Sequence, residues 1–301
     1  MADDSQLTEM KNNKSKNLHE FSTMQIIKLM NEQDKKVADV VALALPQIKL
    51  AIETMVQAIE KGGHVIYFGA GTSGRLGVLD ASECPPTFGV SPDLIQGVIA
   101  GGDAALRNAI EDAEDNWENG KKDVLNHVTT KDVIVGIASS GNTPYVLGAV
   151  QQANEMGVPT IGISCNVDTK LSKNVNIPIE LPVGAEIVTG STRLKAGTAQ
   201  KMVLNMLSTA TMIRLGKVYK NLMINVQATN KKLRKRAINI IQELTGVDEI
   251  SAKKANKEAD GDVRIAILML LFHIDPIKAK MMLSKHNGNF VKAIKENSLE
   301  R

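Results

Sequence analysis

The 301-residue sequence is poor in the residue types on which several classes of protein depend. Aromatic residues make up 3% of the chain, so the core must be built from aliphatic side chains and the 13 methionines. The same scarcity argues against a protein that stacks single-stranded nucleic acid on aromatic side chains. The two cysteines, Cys84 and Cys165, are too few for a disulfide framework or a four-cysteine zinc site. The five histidines show no metal-ligand spacing, and we predict no metal site.

A strong net charge and long apolar runs are also missing. The net charge of +3 is too small to imply a nucleic-acid partner, and we interpret the basic run 231–236 as a solvated helix face. The apolar run 265–272 reaches less than half of the ~20 residues that span a bilayer. Residues 1–20 are polar and lack the apolar core of a signal peptide. We therefore expect a soluble, cytoplasmic protein without a nucleic-acid or membrane partner.

Apolar runs alternate with helical patterns through the middle of the chain. The candidate strands are 64–68, 94–100, 132–138, 160–164 and 175–181. Helical patterns lie between most of them, around 104–119, 145–156 and 195–215. This alternation predicts an α/β protein with a doubly wound parallel sheet flanked by helices, and ligands bind such sheets at the carboxyl ends of the strands.

The ends of the chain differ from this middle part. Residues 1–20 are predicted to form a flexible N-terminal arm, and 21–244 to form the α/β domain. No strand pattern remains after Lys231, and glycine and proline separate short helical stretches from there on. We therefore predict a small helical C-terminal subdomain over 245–301.

A glycine-rich segment with two hydroxyl groups, Thr72 and Ser73, follows the first predicted strand. Glycine lets backbone N–H groups approach an anion, and hydroxyl groups add donors. A dinucleotide site is disfavoured because no acidic residue ends a second strand ~20 residues on. A tight strand–helix turn without a ligand is the alternative interpretation.

A second segment of this kind, Ala138–Pro144, follows the third predicted strand and carries Ser139, Ser140, Asn142 and Thr143. Proline suits the first position of a helix, and hydroxyl groups at a helix N-terminus favour a phosphate group. The alternative is an ordinary helix cap. Two such segments at the ends of core strands favour the phosphate site.

Two glutamates are candidate acid–base residues. Glu83 precedes the double proline Pro85–Pro86, which predicts a rigid, extended loop that would fix its direction. Glu114 falls on the border of the apolar stripe of the predicted helix 104–119, and its partial burial would favour the protonated form. The alternatives are a plain surface loop for the first and a boundary residue in a salt bridge for the second. We interpret the neighbouring Cys84 as a passive thiol.

Three motifs carry a resemblance to a known family: 68–89, 188–201, and 216–219 together with 226–230. They resemble the N-acetylmuramic acid 6-phosphate etherase family, which belongs to the sugar isomerase (SIS) fold group. The resemblance covers nearly the whole chain from about residue 20. The chain is also similar to the vertebrate glucokinase regulatory protein, which binds fructose phosphates without catalysing a reaction.

The resemblance implies roles for particular residues. Ser139, Ser140 and Thr143 would hold the phosphate of a sugar phosphate. Many members of the family carry arginine where this chain has Asn142, so the phosphate would rely more on backbone and hydroxyl donors. Thr72 and Ser73 would also bind the substrate. The stretch 188–201 would line the site in a homodimer, and we include Glu186 and Lys195 among the candidate substrate-binding residues.

The family's two catalytic glutamates match Glu83 and Glu114. The resemblance implies elimination of D-lactate from N-acetylmuramic acid 6-phosphate and addition of water, without a metal or redox cofactor. We assign Glu83 to the departing lactate and the incoming water, and Glu114 to the C2 proton, although the sequence leaves the roles exchangeable. A non-catalytic sugar-phosphate sensor and a ketose/aldose phosphate isomerase are the alternatives.

Overall fold

A parallel sheet of five strands, in the order β2-β1-β3-β4-β5, forms the centre of the computed structural model. The structure describes residues 6–225 and 231–299, with only the backbone at 297–299; the motif 226–230 lies outside the described residues. The strands are β1 Val65–Gly69, β2 Ile95–Ile99, β3 Val133–Ile137, β4 Thr160–Ser164 and β5 Ile177–Glu180. Each predicted strand is confirmed to within a few residues, and so is the α/β fold class.

Fourteen α-helices surround or follow this sheet in the described ranges. Those before and between the strands are α1 Thr23–Asp34, α2 Val37–Leu43, α3 Leu45–Glu60, α4 Gly71–Phe88, α5 Ala104–Arg107, α6 Trp117–His127, α7 Pro144–Glu155 and α8 Lys170–Asn174. The later ones are α9 Lys195–Arg214, α10 Lys231–Thr245, α11 Glu249–Glu258, α12 Val263–Phe272, α13 Pro276–Lys285 and α14 Phe290–Leu299. None of the helices in these ranges is both long enough and apolar enough to cross a membrane.

The strand order places the ends of β1 and β3 side by side. Gly69 at the end of β1 pairs with Ile137 at the end of β3, and Ile137 pairs in turn with Ile163 of β4. The connection from β1 leads to β2 on one side, while β3 leads to β4 on the other. Such a reversal of strand order opens a crevice at the carboxyl edge of the sheet, where ligands bind.

The chain divides into two compact units. The first contains the described residues up to Ser82 and Pro92–Ser208, and the second contains Glu83–Ser91 and the described residues from Thr209 onward. The second unit therefore starts before the predicted boundary at 245. The reason is packing, because Ile240 and Ile241 of α10 are buried in the same core as Ile267 of α12.

The described part of the predicted flexible arm lies against the first unit. Thr8 is fully buried, and the Asn12 Nδ2 group donates a hydrogen bond to the Ala185 carbonyl oxygen at 3.2 Å. Two short 3-10 turns, Asn13–Ser15 and Leu18–Glu20, follow. Thr8 and Asn12, two polar residues of this segment, thus hydrogen-bond to residues of the folded unit.

The predicted extended loop around Glu83 is wrong, since α4 continues through Pro85 and Pro86 to Phe88. The helical pattern persists because the Gly89 N–H bonds the Pro85 carbonyl oxygen at 2.9 Å. Burial of Cys84 and Phe88 offsets the hydrogen bonds that the prolines cannot make.

The prediction of one helix over 104–119 is also wrong. The structure has α5 and α6 there, with an irregular segment between them that contains Glu114. Asp112 adopts a positive φ of 58°, and the side chain of Asn116 accepts a hydrogen bond from the Asn119 N–H as the cap of α6. Asn and Asp side chains compete with the helical backbone in this way, and here they divide the predicted helix.

Glycine lets α6 and α7 approach closely, and this contact yields a stability prediction. A methyl group at Gly148 would lie 2.2 Å from the Trp117 carbonyl oxygen, whereas one at Gly197 in α9 would meet nothing nearer than 3.5 Å. We expect Gly148→Ala to lower the free energy of unfolding by about 1–3 kcal/mol through overpacking. Urea unfolding measures this change.

The matched control is Gly197→Ala, which should leave stability unchanged or raise it, because alanine favours helix. Equal unfolding midpoints for the two variants would contradict the close α6–α7 approach.

Candidate functional site

A buried side-chain amide connects the two predicted anion-binding loops. Gln200 of α9 accepts a hydrogen bond from the Ser73 hydroxyl at 3.0 Å and donates one to the Ser139 hydroxyl oxygen at 3.1 Å. Ser73 is 6% exposed, Ser139 is 8% exposed and Gln200 is fully buried. The structure therefore brings together the first turn of α4, which follows β1, and the loop after β3.

The loop after β3 is held by its carbonyl groups. The Cys165 N–H bonds the Ser139 carbonyl oxygen, and the Leu171 N–H bonds that of Gly141, both at 2.9 Å. Gly141 has a φ of +70°, and a methyl group there would lie 2.4 Å from the Thr169 Cβ. Only glycine fits this position without strain. With the carbonyl groups engaged, the loop leaves hydroxyl groups as donors for a ligand.

Asn166, directly after β4, supports the same loop from the protein side. Its Nδ2 group donates to the carbonyl oxygens of Ser139 and Ser140 at 3.2 and 3.3 Å. The same group donates to the Thr8 hydroxyl oxygen at 3.0 Å, and Asn166 Oδ1 accepts from the Thr8 N–H at 3.2 Å. The described start of the chain is thereby connected to the loop.

The remaining polar residues of the loop surround the start of α7. The Ser140 hydroxyl oxygen accepts a hydrogen bond from the Asn142 N–H at 3.1 Å, which leaves the hydroxyl hydrogen for an acceptor. Thr143 occupies the N-cap position without a side-chain capping bond, and Pro144 is the first helical residue as predicted. A helix N-terminus with hydroxyl groups beside it suits a phosphate group. Thr72 lies in the first turn of α4 and is half-buried.

Glu114 lies beside this loop although its helix was wrongly predicted. The N–H of Tyr145, in the first turn of α7, donates to the Glu114 carbonyl oxygen at 3.0 Å. The Glu114 side chain is exposed, contrary to the predicted partial burial. Arg75 holds the preceding segment, because its Nε donates to the Leu106 carbonyl oxygen at 3.1 Å. The predicted acid–base residue is therefore anchored at its backbone while its carboxylate faces solvent.

Glu83 is also exposed and lies in the part of α4 that belongs to the second unit. The Asn225 Nδ2 group caps this helix end by donating to the carbonyl oxygens of Phe88 and Gly89, at 2.6 and 2.9 Å. A methyl group at Gly89 would lie 1.9 Å from the Asn225 carbonyl oxygen, so glycine is required there. The helix end that carries Glu83 is fixed by these contacts.

Asp80 anchors α4 within the first unit. Its carboxylate accepts hydrogen bonds from the Asn205 amide at 2.8 Å, the Ser208 hydroxyl at 3.0 Å and the Tyr67 hydroxyl at 3.2 Å. Burial raises the pKa of Asp80, and these three hydrogen bonds oppose the rise. The carboxylate thus connects β1, α4 and α9.

Glu186 and Lys195, two predicted substrate contacts, make structural hydrogen bonds at the start of α9. Glu186 is 1% exposed and accepts from the N–H groups of Ala196 and Lys195, at 2.9 and 3.2 Å. Burial raises the pKa of Glu186, and it lowers the pKa of Lys195. The Lys195 Nζ has three acceptors, the carbonyl oxygens of Val183 and Ala185 and the Gln33 side chain. Their direct contact with a substrate stays a prediction.

A cleft of about 710 Å³ opens beside the loop in the first unit. Asn142 and Pro144 border it on the side of the loop, and Trp117 and Lys170 border it elsewhere. Its volume falls in the range of small-molecule sites. In the ranges that the structure describes, no three His, Cys, Asp or Glu side chains come together as a metal site would need.

Sequence reasoning missed Gln200, Asn166 and Asn225. Asn166 could have been predicted as a site residue, because it follows a buried strand, as the two predicted anion-binding segments do. Gln200 belongs to the motif 188–201, but nothing in the sequence pairs it with two distant serines. Asn225 acts through a contact with residues far away in the chain, which spacing does not indicate.

Comparison with known proteins agrees with the observed fold. A family model described as SIS domain matches residues 109–210, and the glucokinase regulatory protein N-terminal SIS domain matches 47–154. The C-terminal lid domain of glucokinase regulatory protein matches 220–259. A solved phosphoheptose isomerase from Francisella tularensis is similar in fold, with a TM-score of 0.51 at 20% identity, over 64% of this chain and 100% of that chain. The fold and the family models together define a SIS-fold protein.

Curated relatives narrow this class to one family. An N-acetylmuramic acid 6-phosphate etherase of Geobacillus sp. (strain WCH70) is 50% identical over 288 residues, 95% of this chain and 98% of the relative. One of Clostridium botulinum (strain Hall) is 49% identical over 296 residues, 98% of each chain. The chain belongs to the N-acetylmuramic acid 6-phosphate etherase family.

The support of the loop by Asn166 is tested with Asn166→Asp, which keeps the shape of the side chain. The variant loses the Nδ2 donor and leaves the carbonyl oxygens of Ser139 and Ser140 without that partner. We expect the free energy of unfolding to fall by about 1–3 kcal/mol. Asn31→Asp on the exposed face of α1 is the matched control. An unchanged urea midpoint for Asn166→Asp would show that the loop does not depend on this amide.

Proposed function

We propose that the protein cleaves the lactyl ether of N-acetylmuramic acid 6-phosphate and releases D-lactate and N-acetylglucosamine 6-phosphate. The observation that carries this proposal is the 48–50% identity to etherases of that name over nearly the full chain. The two joined loops of the first unit supply the phosphate site that such a substrate needs. A sugar phosphate is charged and does not cross membranes, so we place the reaction in the cytoplasm.

The substrate phosphate binds at the loop after β3. Ser139 and Ser140 are aligned by Gln200 and by the Asn142 N–H, and Thr143 stands at the start of α7. Hydroxyl donors and the positive end of α7 hold a dianion without a lysine in the loop. The Ser73 hydroxyl, fixed by the same glutamine, brings the start of α4 to the phosphate site.

The reaction is an elimination followed by an addition. The ring-opened sugar has an aldehyde at C1, which acidifies the C2 proton. A base removes that proton, and lactate leaves from C3 after protonation of its ether oxygen. Water then adds at C3 of the unsaturated aldehyde, and C2 regains a proton. Two carboxyl groups in opposite protonation states can perform all four proton transfers without a metal or redox cofactor.

Glu83 and Glu114 are the carboxyl groups that we assign to this chemistry. Glu83 protonates the departing lactate and then activates the water, while Glu114 transfers the C2 proton. Glu114 is anchored beside the phosphate loop by the hydrogen bond from the Tyr145 N–H. Glu114, as a base beside that loop, would therefore lie close to the phosphate end of the bound substrate.

The other functions that this fold allows differ in chemistry. A sugar-phosphate sensor needs the loop but no acid–base pair, and an aldose/ketose isomerase needs a base near C2 but no acid at a C3 leaving group. Lactate release from the muramic acid phosphate separates both alternatives from the etherase, because neither of them breaks the ether bond.

Substitution of either glutamate tests the assignment. We expect Glu83→Ala and Glu114→Ala to lower the rate of lactate release by about 10²–10⁴, the contribution of a positioned acid or base. Glu111→Ala, an exposed neighbour of Glu114, is the matched control and should keep the normal rate. Near-normal release by either variant would remove that glutamate from the mechanism.

Exchange of the C2 hydrogen in deuterated water distinguishes the two roles. Glu114→Ala should lose exchange, while Glu83→Ala should keep it, because proton removal at C2 precedes departure of lactate. The opposite pattern would show that the roles are exchanged.

We also propose a homodimer, on the basis of exposed apolar side chains near the start of the first unit. Leu43 is 79% exposed at the end of α2, and Met24, Ile27, Leu45 and Leu50 of α1 and α3 are also exposed. Such a concentration of apolar side chains is typical of an interface between chains.

Light scattering tests this interface. We expect the unmodified protein to be a dimer and Leu43→Asp to dissociate it, because a buried carboxylate without a partner is costly. Leu125→Asp on α6, which is 61% exposed, is the matched control. A dimer that survives Leu43→Asp, or an unmodified protein that is monomeric, would contradict the proposed interface.

A further inference from the structure

Two neighbouring cationic side chains of the second unit have no part in the proposed reaction. They are Lys217, just beyond α9, and Arg264, in the first turn of α12. A methyl group built on Gly288 would lie 3.8 Å from Arg264 Nη1 and 4.0 Å from Lys217 Nζ, and it would meet no other heavy atom within 4 Å apart from its chain neighbours. The two cationic groups therefore border the same small open space.

The backbone holds Lys217 firmly in this position. After α9, the N–H groups of Gly216 and Lys217 bond the carbonyl oxygens of Ile213 and Met212, both at 3.0 Å. Gly216 has a φ of +72°, and a methyl group there would lie 2.1 Å from Asn289 Oδ1. This glycine lets Asn289 pack against the chain directly before Lys217, so the lysine has a defined starting point.

The two cations differ in their carboxylate partners. Arg264 donates to the Asp262 carboxylate through Nε and Nη2, at 3.1 and 2.6 Å, so its Nη1 group remains on the side of Gly288. In the described ranges, no carboxylate lies within 4.0 Å of the Lys217 ammonium group. Burial lowers the pKa of Lys217, and the positive charge of Arg264 lowers it further.

The start of α14 adds to the positive field. Asn289 caps this helix, since its Oδ1 accepts from the Lys292 N–H and its carbonyl oxygen from the Ala293 N–H, both at 3.1 Å. The positive end of the helix dipole thus begins directly after Gly288. The Lys217 ammonium group is repelled by that end of the dipole and by Arg264, and an anion between the two side chains relieves both repulsions.

We propose that Lys217, Arg264 and the start of α14 form a second anion site, which binds a phosphate group. The group comes either from inorganic phosphate or from the phosphate ester of a sugar phosphate, since both present the same oxygens. The site belongs to the second unit and is independent of the serine loops of the first. It gives the motif 216–219 a role in ligand binding in addition to packing.

Removal of one charge, with its aliphatic stem retained, tests the site. We expect Lys217→Met to weaken the binding of inorganic phosphate in calorimetric titration at least about tenfold, the range of a lost charge-assisted hydrogen bond. In chloride buffer without phosphate, the same variant should unfold at the same temperature as the unmodified protein or higher, because a cation–cation repulsion is removed. A structural lysine would give the opposite change in unfolding temperature.

Two further variants control for charge and for folding. Lys280→Met removes an exposed lysine of α13 and should leave phosphate binding unchanged. Lys217→Arg keeps a cation and should restore binding that Lys217→Met loses. The titrations use full-length protein with Ser140→Ala and Thr143→Ala, which weakens the loop of the first unit as a competing phosphate site.

The same protein, with Ser140→Ala and Thr143→Ala, distinguishes the two sources of the phosphate group. Tighter binding of N-acetylglucosamine 6-phosphate than of inorganic phosphate would assign the site to a phosphate ester, and equal or weaker binding would assign it to the free ion. Unchanged phosphate affinity in Lys217→Met, or a lowered unfolding temperature without phosphate, overturns the proposal. Since none of these measurements uses lactate release, the result does not depend on the proposed function.

Discussion

The hydrogen bonds from Gln200 to Ser73 and Ser139 are the constraint on which the rest of the site depends. They join the start of α4, after β1, to the loop after β3, and these two strands are neighbours in the sheet but far apart in the sequence. The amide is an acceptor toward Ser73 and a donor toward Ser139, so the two hydroxyl groups have different roles. In a buried position each bond also satisfies a polar group that would otherwise be costly. A single side chain thereby sets both the spacing of the loops and the direction of their donors.

The sheet could be predicted from the sequence because its signal is local. Strands buried on both faces appear as short apolar runs, and the turns after β1 and β3 carry glycine and hydroxyl groups in the sequence itself. The phosphate loop was predictable for the same reason. Gln200, Asn166 and Asn225 act through partners more than twenty residues away. Neither periodicity nor spacing contains that information, so only the folded chain reveals it.

Competition between local preference and tertiary contacts explains the two wrong predictions of secondary structure. Pro85 and Pro86 favour an extended loop by their backbone chemistry, yet burial of Cys84 and Phe88 and the cap from Asn225 keep α4 helical to its end. Between α5 and α6 the outcome is reversed, because Asn and Asp side chains divide an apolar pattern that favours one helix. In the first case tertiary contacts override a local preference, and in the second a local preference overrides periodicity.

The exposure of Glu83 and Glu114 has a consequence for the proposed reaction. A carboxyl group donates a proton near neutral pH when it is removed from water, and general acids in enzymes are usually buried for that reason. Neither glutamate is buried within the single chain. The dry surroundings must then come from groups outside these two positions, among them the bound sugar itself. The proposed reaction therefore requires that water be excluded from two carboxyl groups that the chain by itself leaves exposed.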